Sequence, residues 1–595
     1  MVLIAMMRRL LTDHKHAVAA IVLLQLVQAA ANLLLPTVNA AIIDDGIVAG
    51  QTGVISRLGA VMAVIAVLQA AAAVSAGYLG AVVAMRIGQQ LRGEIFAKIQ
   101  SLSTQDVAVF GTQSLTTRAT NDTQQVQAFA VLVFTMLVAG PAMGVGGVVL
   151  ALQQDVALSS VVIVIVPLLL LIMYLIVRKL IPLYREGQDL LDRAGGILRE
   201  QIIGAGVIRS FVRQDHEVRR FARVNGSLTA NNLQSALLVA GMLPMVMLVV
   251  NLSSVAVVWF GGQRIQAGLM NLGALTAFIA YILQILIAIM MSMYVLMTAP
   301  RAAVCAERIS AVLDTMPSVR ETRHATTVQA KTLEQPGTAD GNASRAVPPG
   351  ILEFSGVGFS YPGAEEPVLA GVSFTARPGT TTAIVGSTGS GKSTLLNLIP
   401  RFLDSTAGTI RLGGSDIKDE SLDKLRASMA MVPQHAHLFT GTIASNLRMA
   451  APDATDHELW EVLETAQTMR FMRDLPLGLA TPLGQGGTNL SGGQRQRLCI
   501  ARALLRKTSL YLFDDSFSAL DYDTDTRLRQ ALQARLADAS VVVVAERISA
   551  VEGAGLILVL DGGRLVAQGT HEGLLETSAT YREIAESQLV LDGRP

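Results

Sequence analysis

Gly386-Ser387-Thr388-Gly389-Ser390-Gly391-Lys392-Ser393 matches the phosphate-binding pattern G-x-x-x-x-G-K-[ST] and decides the fold of the C-terminal part of this chain. An apolar run, Thr381 to Val385, predicts a strand before it, and Thr394 to Leu398 predicts a helix after it. Glycines let consecutive backbone N–H groups point at phosphate oxygens, and the helix N-terminus adds positive potential. The pattern predicts that Lys392 reaches the β and γ phosphates of a nucleotide and that Ser393 binds Mg²⁺.

Composition places part of the chain in a membrane. The chain has 595 residues, 51% of them hydrophobic, and a mean hydropathy of +0.47. It is therefore too long for one domain and too apolar for an ordinary soluble protein. A net charge of +1 gives no overall basic field, so nucleic acid is not expected as a partner. Cys305 and Cys499 are far apart and lack metal-ligand spacing, so we expect two reduced, unpaired thiols.

Six apolar stretches are long enough to cross a hydrocarbon core of about 30 Å as helices. The second and fourth connections between them are long and rich in Arg and Lys, whereas the other three are short and nearly free of basic residues. By the positive-inside rule, we expect both termini and the long connections on the cytoplasmic side of the inner (cytoplasmic) membrane. The six predicted spans are residues 17–41, 58–83, 129–152, 156–177, 236–260 and 272–297.

The two long connections carry apolar residues at helical spacings of three and four. The patterns over Met85–Gln100 and Tyr184–Asn225 predict that the membrane helices continue into the cytoplasm, with turns at Ser103–Thr112 and Ile203–Phe211. Within the six spans there is no Asp, Glu, Lys or Arg, and methionines are frequent. Uncharged spans with flexible thioethers favour an apolar or amphipathic cargo over a small ion.

From Ile351 onward, strand-like and helical segments alternate, which predicts an α/β domain. The predicted fold class is therefore multi-domain: an all-α six-helix transmembrane domain in residues 1–320 and an α/β P-loop nucleotide-binding domain in residues 351–595. Residues 321–350 are rich in Thr, Ala, Gly and Pro, which predicts a flexible linker. The strand-like runs are Ile351–Phe354, Thr382–Val385, Ser509–Phe513, Ser540–Ala545 and Leu556–Leu560.

Further motifs surround the phosphate loop in a specific order. Tyr361, in Phe-Ser-Tyr-Pro, can stack on adenine, and Gln434, in Val-Pro-Gln, can reach Mg²⁺ or an attacking water. Leu490-Ser491-Gly492-Gly493-Gln494 leads into a helix, predicted at Arg495–Leu505, whose start can bind an anion. The apolar strand Leu510–Asp514 ends in a carboxylate suited to Mg²⁺.

In this combination the motifs resemble those of the ATP-binding cassette (ABC) transporters, and the whole chain is similar to bacterial exporters that fuse six membrane helices to one nucleotide-binding domain. The resemblance implies ATP and Mg²⁺ as cofactors, with Ser393, Gln434 and Asp514 at the metal. By motif, it implies Tyr361 as the A-loop aromatic, Gly386–Ser393 followed by Thr394 as Walker A, Gln434 as the Q-loop, Leu490–Gln494 as the signature, Asp514 as the Walker B aspartate, and Ser518, Ala519, Leu520 and Asp521 as the D-loop.

The resemblance also implies a dimer. In this family, two nucleotide-binding domains pair head to tail, so each ATP lies between the Walker A loop of one chain and the signature of the other. The two long cytoplasmic connections are similar to the coupling elements that dock on these domains, the second on the partner's. One chain is expected to be half of a transporter, in contact with membrane lipid and with a small apolar or amphipathic substrate.

Two residues depart from the family pattern. Asp515 stands where the family has a glutamate that acts as general base, and Glu546 stands where it has a histidine that contacts the γ phosphate. Aspartate is one methylene shorter, and a misplacement of about 1 Å can lower a rate about 10²-fold. An ionised carboxylate cannot donate a hydrogen bond to the phosphate. At the catalytic positions, Asp515, Glu546 and Gln434, we therefore predict a degenerate site that binds ATP well and hydrolyses it slowly.

The intact signature indicates which assembly to expect. It can complete a competent ATP site with the Walker motifs of a second, related half-transporter, so we expect a heterodimer in which hydrolysis occurs mainly at that site. The partner's own signature is expected to deviate from Leu-Ser-Gly-Gly-Gln. A homodimeric exporter, an importer built on the exporter fold and an ATP-gated channel remain as alternatives, and lipid, drug and peptide all remain open as cargo.

Overall fold

The structure is a computed structural model of the chain, and it describes residues 2–320 and 349–591. These residues form two compact units. The first contains the residues up to Gln100 together with Thr112–Thr315, and the second contains Ser101–Gly111 together with the described residues from Met316 onward. The predicted linker, residues 321–350, lies outside the described residues except for Pro349 and Gly350.

The first unit is built of long helices. Six helical stretches in the described residues are apolar and long enough to cross a membrane, which confirms the predicted number of spans. Three segments have π-helical backbone: Ile42–Val48, Arg118–Asp122 and Val133–Leu137. In chain order, and including α4 of the second unit, the helices are α1 (Val2–Leu11), α2 (Lys15–Ala41), α3 (Thr52–Ser101), α4 (Thr104–Phe110), α5 (Thr112–Thr117), α6 (Thr123–Leu132), α7 (Ala139–Gln154), α8 (Ser159–Ile203), α9 (Ala205–Ser210), α10 (Gln214–Gln266) and α11 (Leu272–Leu313).

The long helices extend well beyond a membrane. Helices α3, α8 and α10 have 50, 45 and 53 residues, which is about 68–80 Å at 1.5 Å per residue and more than twice a hydrocarbon core of about 30 Å. This length agrees with the prediction that the membrane helices continue through the long connections. Helix α11 ends at Leu313.

The two predicted turns at the ends of these helices were wrong in part, because each contains a short helix. Helix α4 occupies most of Ser103–Thr112, and α9 occupies most of Ile203–Phe211. Ser103 begins α4 with a capping box, in which its Oγ accepts from the Asp106 N–H at 3.1 Å and Asp106 Oδ2 accepts from the Ser103 N–H at 3.0 Å. Reciprocal capping satisfies backbone donors that a turn would expose, and the Ser-x-x-Asp spacing could have indicated it.

Polar side chains within the spans bind backbone carbonyls or one another. The Tyr281 hydroxyl lies 2.5 Å from Thr37 Oγ1, and Gln284 Nε2 donates to the Asn32 carbonyl at 3.0 Å, so both contacts join α11 to α2. Gln25, which is buried in α2, donates to the Phe134 carbonyl in a π-helical segment. Because lipid offers no hydrogen bonds, such contacts are required wherever a span carries a polar group. They hold α2, α11 and the third span together.

The second unit contains two larger sheets and one small one. A six-stranded sheet has the order β12-β11-β3-β10-β9-β6, with only β12 antiparallel to its neighbour. A four-stranded antiparallel sheet has the order β2-β1-β4-β5, and β7 pairs with β8. The strands are β1 (Leu352–Phe359), β2 (Leu369–Ala376), β3 (Thr381–Gly386), β4 (Ala407–Leu412), β5 (Ser415–Asp416), β6 (Met429–Val432), β7 (Gly441–Thr442), β8 (Pro482–Leu483), β9 (Leu510–Asp514), β10 (Ser540–Val544), β11 (Leu556–Asp561) and β12 (Arg564–Gly569).

Helices cover the six-stranded sheet, and its inner strands are buried, as expected for parallel strands in an α/β fold. All five residues of β9 are buried. The helices are α12 (Lys392–Leu398), α13 (Leu422–Ala427), α14 (Ile443–Arg448), α15 (Asp456–Thr465), α16 (Met469–Met472), α17 (Gly492–Leu505), α18 (Tyr522–Arg535), α19 (His571–Thr577) and α20 (Ala579–Leu591).

Strand order positions the candidate site. Strand β10 pairs in parallel with β3 on one side and with β9 on the other. The carboxyl ends of parallel strands meet at one edge of a sheet, and ligands of α/β folds bind there. The phosphate loop after β3, Asp514 at the end of β9 and Glu546 just after β10 therefore share this edge.

Candidate nucleotide-binding site

The phosphate loop joins β3 to α12 through backbone that only glycine adopts easily. Gly389 and Gly391 have φ angles of 86° and 95°, in the left-handed region that L side chains rarely occupy. A Cβ on Gly391 would also lie 2.8 Å from Leu369 Cδ2 and 3.0 Å from the Val368 carbonyl. These two positions allow the chain to turn from strand into helix within a few residues.

The loop presents buried groups that can donate to phosphate. Lys392 Nζ donates to the carbonyls of Gly386 and Ser387, each at 2.8 Å, so the lysine folds back over the loop. The Ser390 side chain is 2% exposed, and its hydroxyl has no hydrogen-bond partner among the described residues. A buried ammonium and an unpaired buried hydroxyl within a glycine-rich loop fit the phosphate oxygens of a nucleotide.

Ser393 and Asp514 meet at the start of α12. The Ser393 hydroxyl donates to Asp514 Oδ1 at 3.0 Å, and burial raises the pKa of the Asp514 carboxyl. A hydroxyl and a carboxylate are the oxygen ligands that Mg²⁺ takes beside the phosphates of its nucleotide, with water completing the shell. The described residues contain no group of three or more His, Cys, Asp or Glu that could hold a metal alone. The Ser393–Asp514 pair thus fits a nucleotide-bound Mg²⁺.

Three carboxylates act on Lys392 electrostatically. Burial lowers the pKa of Lys392, and the negative charges of Glu546, Asp515 and Asp514 act in the opposite direction. Burial raises the pKa of Asp515, and the neighbouring charge of Glu546 raises it further. The structure thus brings Asp514, Asp515 and Glu546 into one electrostatic cluster at the lysine.

The backbone of Asp515 is unusual for a residue with a side chain. Its φ is 44°, in the left-handed region, which Asp and Asn tolerate better than longer side chains because they can bond locally. The Asp515 N–H donates to the Val544 carbonyl at 3.0 Å, and the Ser518 hydroxyl donates to the Asp515 carbonyl at 3.0 Å. These bonds tie Asp515 to β10 and to the D-loop motif.

Tyr361 and Gln434 lie on loops. The Tyr361 ring packs edge-on against Phe359, with 4.8 Å between ring centroids, and its hydroxyl lies 3.5 Å from Thr394 Oγ1. This places an exposed aromatic ring beside the start of α12, where a base could stack. Gln434 is exposed on the loop that follows β6. The roles of both residues remain predictions.

The signature motif begins α17. Ser491 Oγ accepts from the Gln494 N–H at 3.3 Å, and Gln494 Oε1 accepts from the Ser491 N–H at 2.9 Å. This capping box starts the helix at Gly492, three residues earlier than the predicted Arg495. A Cβ on Gly493 would lie 3.1 Å from the Ala519 carbonyl, so the signature helix packs closely against the D-loop motif. Leu490 is buried, and Asp521 Oδ1 accepts from the Thr524 N–H and caps α18.

Sequence reasoning missed two side chains that hold the loop after β10. Gln588 Nε2 donates to the Glu546 carbonyl at 2.7 Å, and Arg529 Nη1 donates to the Ser549 carbonyl at 2.8 Å. The residues that form these contacts are 42 and 20 positions apart in the chain. No motif marks either residue, because each contact depends on how a distant helix packs.

Comparisons with known proteins agree with this geometry. Residues 18–290 match the family of the ABC transporter transmembrane region, and residues 369–518 match the ABC transporter family. The chain is 42% identical over 594 residues to an uncharacterised ABC transporter ATP-binding protein of Mycobacterium tuberculosis, with 98% of each chain covered. It is 32% identical over 502 residues to an ATP-dependent lipid A-core flippase of Chromobacterium violaceum, with 84% of this chain and 82% of that protein covered.

These matches show that the chain belongs to the ABC transporters and carries an ABC ATPase domain. Its membrane and ATP-binding parts are joined in one polypeptide with the fold of an ABC exporter. A bacterial Atm1-family ABC exporter with ATP bound superimposes with a TM-score of 0.78 at 23% identity, covering 96% of this chain and 98% of that one. The chain is thus a multi-pass membrane protein in which ATP hydrolysis is coupled to transport.

The raised pKa of Asp515 leads to a pH-dependent prediction. A raised pKa means that folding disfavours the ionised form, so the cost of this charge begins as pH rises through the ordinary pKa of aspartate and is complete above the raised pKa. Asp515→Asn removes the charge and keeps a side chain that tolerates left-handed backbone. We expect it to raise the Tm of the nucleotide-free, full-length chain in nanodiscs by about 1–3 °C at pH 8, and by less at pH 4, close to the ordinary pKa of aspartate.

The control is Asp538→Asn, which changes an exposed carboxylate elsewhere in the same unit. It should leave the pH dependence of the Tm unchanged. A Tm for Asp515→Asn that is lower than that of the natural chain at pH 8, or shifted equally at both pH values, would contradict the electrostatic cluster.

Proposed function

We propose that this chain is the ATP-binding and permease subunit of a heterodimeric ABC exporter. It contributes a degenerate ATP site through its own Walker motifs and an intact signature to the competent site of its partner. The observation that carries the proposal is the position of Asp515 and Glu546, both close enough to Lys392 and to each other to interact electrostatically. Both departures from the family pattern therefore affect the same catalytic position.

This arrangement favours ATP binding over hydrolysis. Lys392, Ser390 and the glycine-rich backbone supply the phosphate contacts, and the Ser393–Asp514 pair would hold Mg²⁺. Hydrogen bonds to Val544 and Ser518 fix the Asp515 backbone. The Asp515 carboxylate is one methylene closer to the backbone than that of a glutamate, and a local backbone shift therefore cannot bring it to the position that the glutamate carboxylate would occupy. With Glu546 ionised, no side chain at that position can donate to the γ phosphate.

The remaining parts of the chain fit a half-transporter. ATP at both interfaces would close the two nucleotide-binding domains, and hydrolysis at the competent site would reset them. Helix α4 already lies on the nucleotide-binding unit, because Thr104 Oγ1 donates to the Phe402 carbonyl at 3.4 Å. At the end of α9, Val207 and Phe211 are 62% and 72% exposed, which fits docking on the partner's domain. We place the protein in the inner membrane, with its nucleotide-binding unit in the cytoplasm.

We further propose an amphipathic cargo that carries negative charge. A cleft of about 850 Å³ lies between α8 and α10, with apolar Leu175, Leu237 and Leu238 in its wall beside the exposed cations Arg178 and Lys179. Within the described part of the chain, neither cation forms an ion pair. Apolar walls next to unpaired cations fit an anionic amphiphile at the membrane surface. The lipid A-core flippase among the relatives supports a lipid.

The alternatives fit less well. A homodimeric exporter would use two copies of the same weak site. An ATP-gated channel would need a polar path, and the predicted spans contain no charged residue. An importer built on the same fold differs in direction, which the fold does not decide.

Restoring the family residues should restore hydrolysis. We expect the natural chain, purified alone in lipid nanodiscs, to hydrolyse ATP slowly. The double variant Asp515→Glu with Glu546→His should be faster by about 10- to 100-fold, because it returns a carboxylate of full reach and a hydrogen-bond donor. The measurement is steady-state phosphate release, with Lys392→Met as the background control that removes phosphate binding. Brisk turnover by the natural chain would support a homodimeric transporter and refute the degenerate site.

The cleft between α8 and α10 can be tested with lipid. Arg178→Gln with Lys179→Gln should lower the amount of phosphatidylglycerol that co-purifies relative to phosphatidylcholine by about fivefold or more, since each cation attracts an anionic headgroup. The matched control is Arg185→Gln with Arg193→Gln, two exposed cations of α8 that do not line the cleft. Quantitative lipid mass spectrometry reads the ratio. Equal losses in both double variants would indicate general surface attraction and exclude a specific cleft.

A further inference from the structure

The loop that follows β10 is held from two sides. We call Glu546–Ser549 the switch loop, because it carries the residue at the γ-phosphate-contacting position of the family. From α18, Arg529 donates to the Ser549 carbonyl, and Asp525 holds Arg529 through a 2.5 Å ion pair. From α20, Gln588 binds the other end of the loop. The switch loop therefore has little freedom of its own.

Gln588 binds the switch loop at two points. Its Nε2 donates to the Glu546 carbonyl at 2.7 Å, and its Oε1 accepts from the Ile548 N–H at 2.7 Å. Only a primary amide offers a donor and an acceptor side by side, so Gln matches this pair of backbone groups and Glu or Met does not. Two short bonds from one planar group fix both the position and the orientation of the loop.

The helix that carries Gln588 is itself anchored. Tyr581 of α20 is fully buried, and its hydroxyl lies 2.8 Å from His571 Nδ1 in α19. Ala585, one turn before Gln588 on the same helix, is also buried. Through Gln588, the packed helix α20 therefore fixes the position of the switch loop.

We propose that Gln588 is a positioning residue that holds Glu546 at the sheet edge that carries the phosphate loop, and so lowers the preference of this site for ATP over ADP. Glu546 acts in two ways: its charge repels the terminal phosphate, and it competes for the charge of Lys392. ADP, which lacks that phosphate, is affected less. The inference rests on one part of the proposed function, namely that this Walker A loop binds nucleotide.

The test compares ATP with ADP. Gln588→Met removes both hydrogen bonds, so the switch loop loosens and the exposed Glu546 side chain can move away from the phosphate loop. In the full-length chain in nanodiscs, we expect affinity for a non-hydrolysable ATP analogue to rise relative to ADP by about two- to fivefold, the range of one partly exposed charge pair. Competition against a fluorescent ADP analogue gives both dissociation constants.

The same substitution, made in a chain that already carries Glu546→Gln, shows whether Gln588 acts through Glu546. In Glu546→Gln, where the charge is absent, Gln588→Met should leave the ratio of ATP-analogue to ADP affinity unchanged. Gln533→Met makes the same chemical change at an exposed position of α18 and should change nothing in either background. An unchanged or lowered ratio for Gln588→Met, or an equal rise in both backgrounds, would overturn the proposal. A natural chain that binds neither nucleotide would refute the proposed function itself, and the inference with it.

Discussion

The candidate site depends on the parallel pairing of β10 with its two neighbours. Val542 pairs with Thr382 of β3 on one side and with Leu512 of β9 on the other. This register places the phosphate loop, Asp514 and the switch loop at one edge of the sheet, and the 3.0 Å contact between Ser393 and Asp514 follows from it. A shift of one residue would turn each of these side chains to the opposite face. The buried sheet thus sets the geometry that ATP chemistry requires.

The charge balance of the site underlies the proposal that this chain binds ATP and hydrolyses it slowly. Three carboxylates act electrostatically on one lysine, and a nucleotide adds further negative charge, which a bound Mg²⁺ would offset. Asp515 and Glu546 are poor partners for the γ phosphate. At the position of Asp515 the family has a glutamate, which is a longer base, and at the position of Glu546 it has a histidine, which can donate a hydrogen bond. The backbone of Asp515, with its left-handed φ and its bond to Val544, holds this arrangement in place.

The membrane unit follows a different constraint. Lipid provides no hydrogen bonds, so polar side chains such as Gln25, Gln284 and Tyr281 bind backbone carbonyls across helices. The cleft between α8 and α10 is different, because its cations lie just beyond a predicted span and stay exposed. A charged headgroup with an apolar tail fits that position better than a small ion.

The sequence by itself determined what depends on local pattern and span length. Eight consecutive residues predicted the phosphate loop, and apolar stretches of about 20 residues predicted six spans, because both signals are contained within one segment. It did not show strands such as β2 and β4 of the antiparallel sheet, whose patterns are short and mixed, or the short helices α4 and α9. Only the tertiary structure decided that Asp515 and Glu546 both act electrostatically on Lys392 and that Gln588 binds the switch loop, because packing alone brings together groups from separate strands and a distant helix.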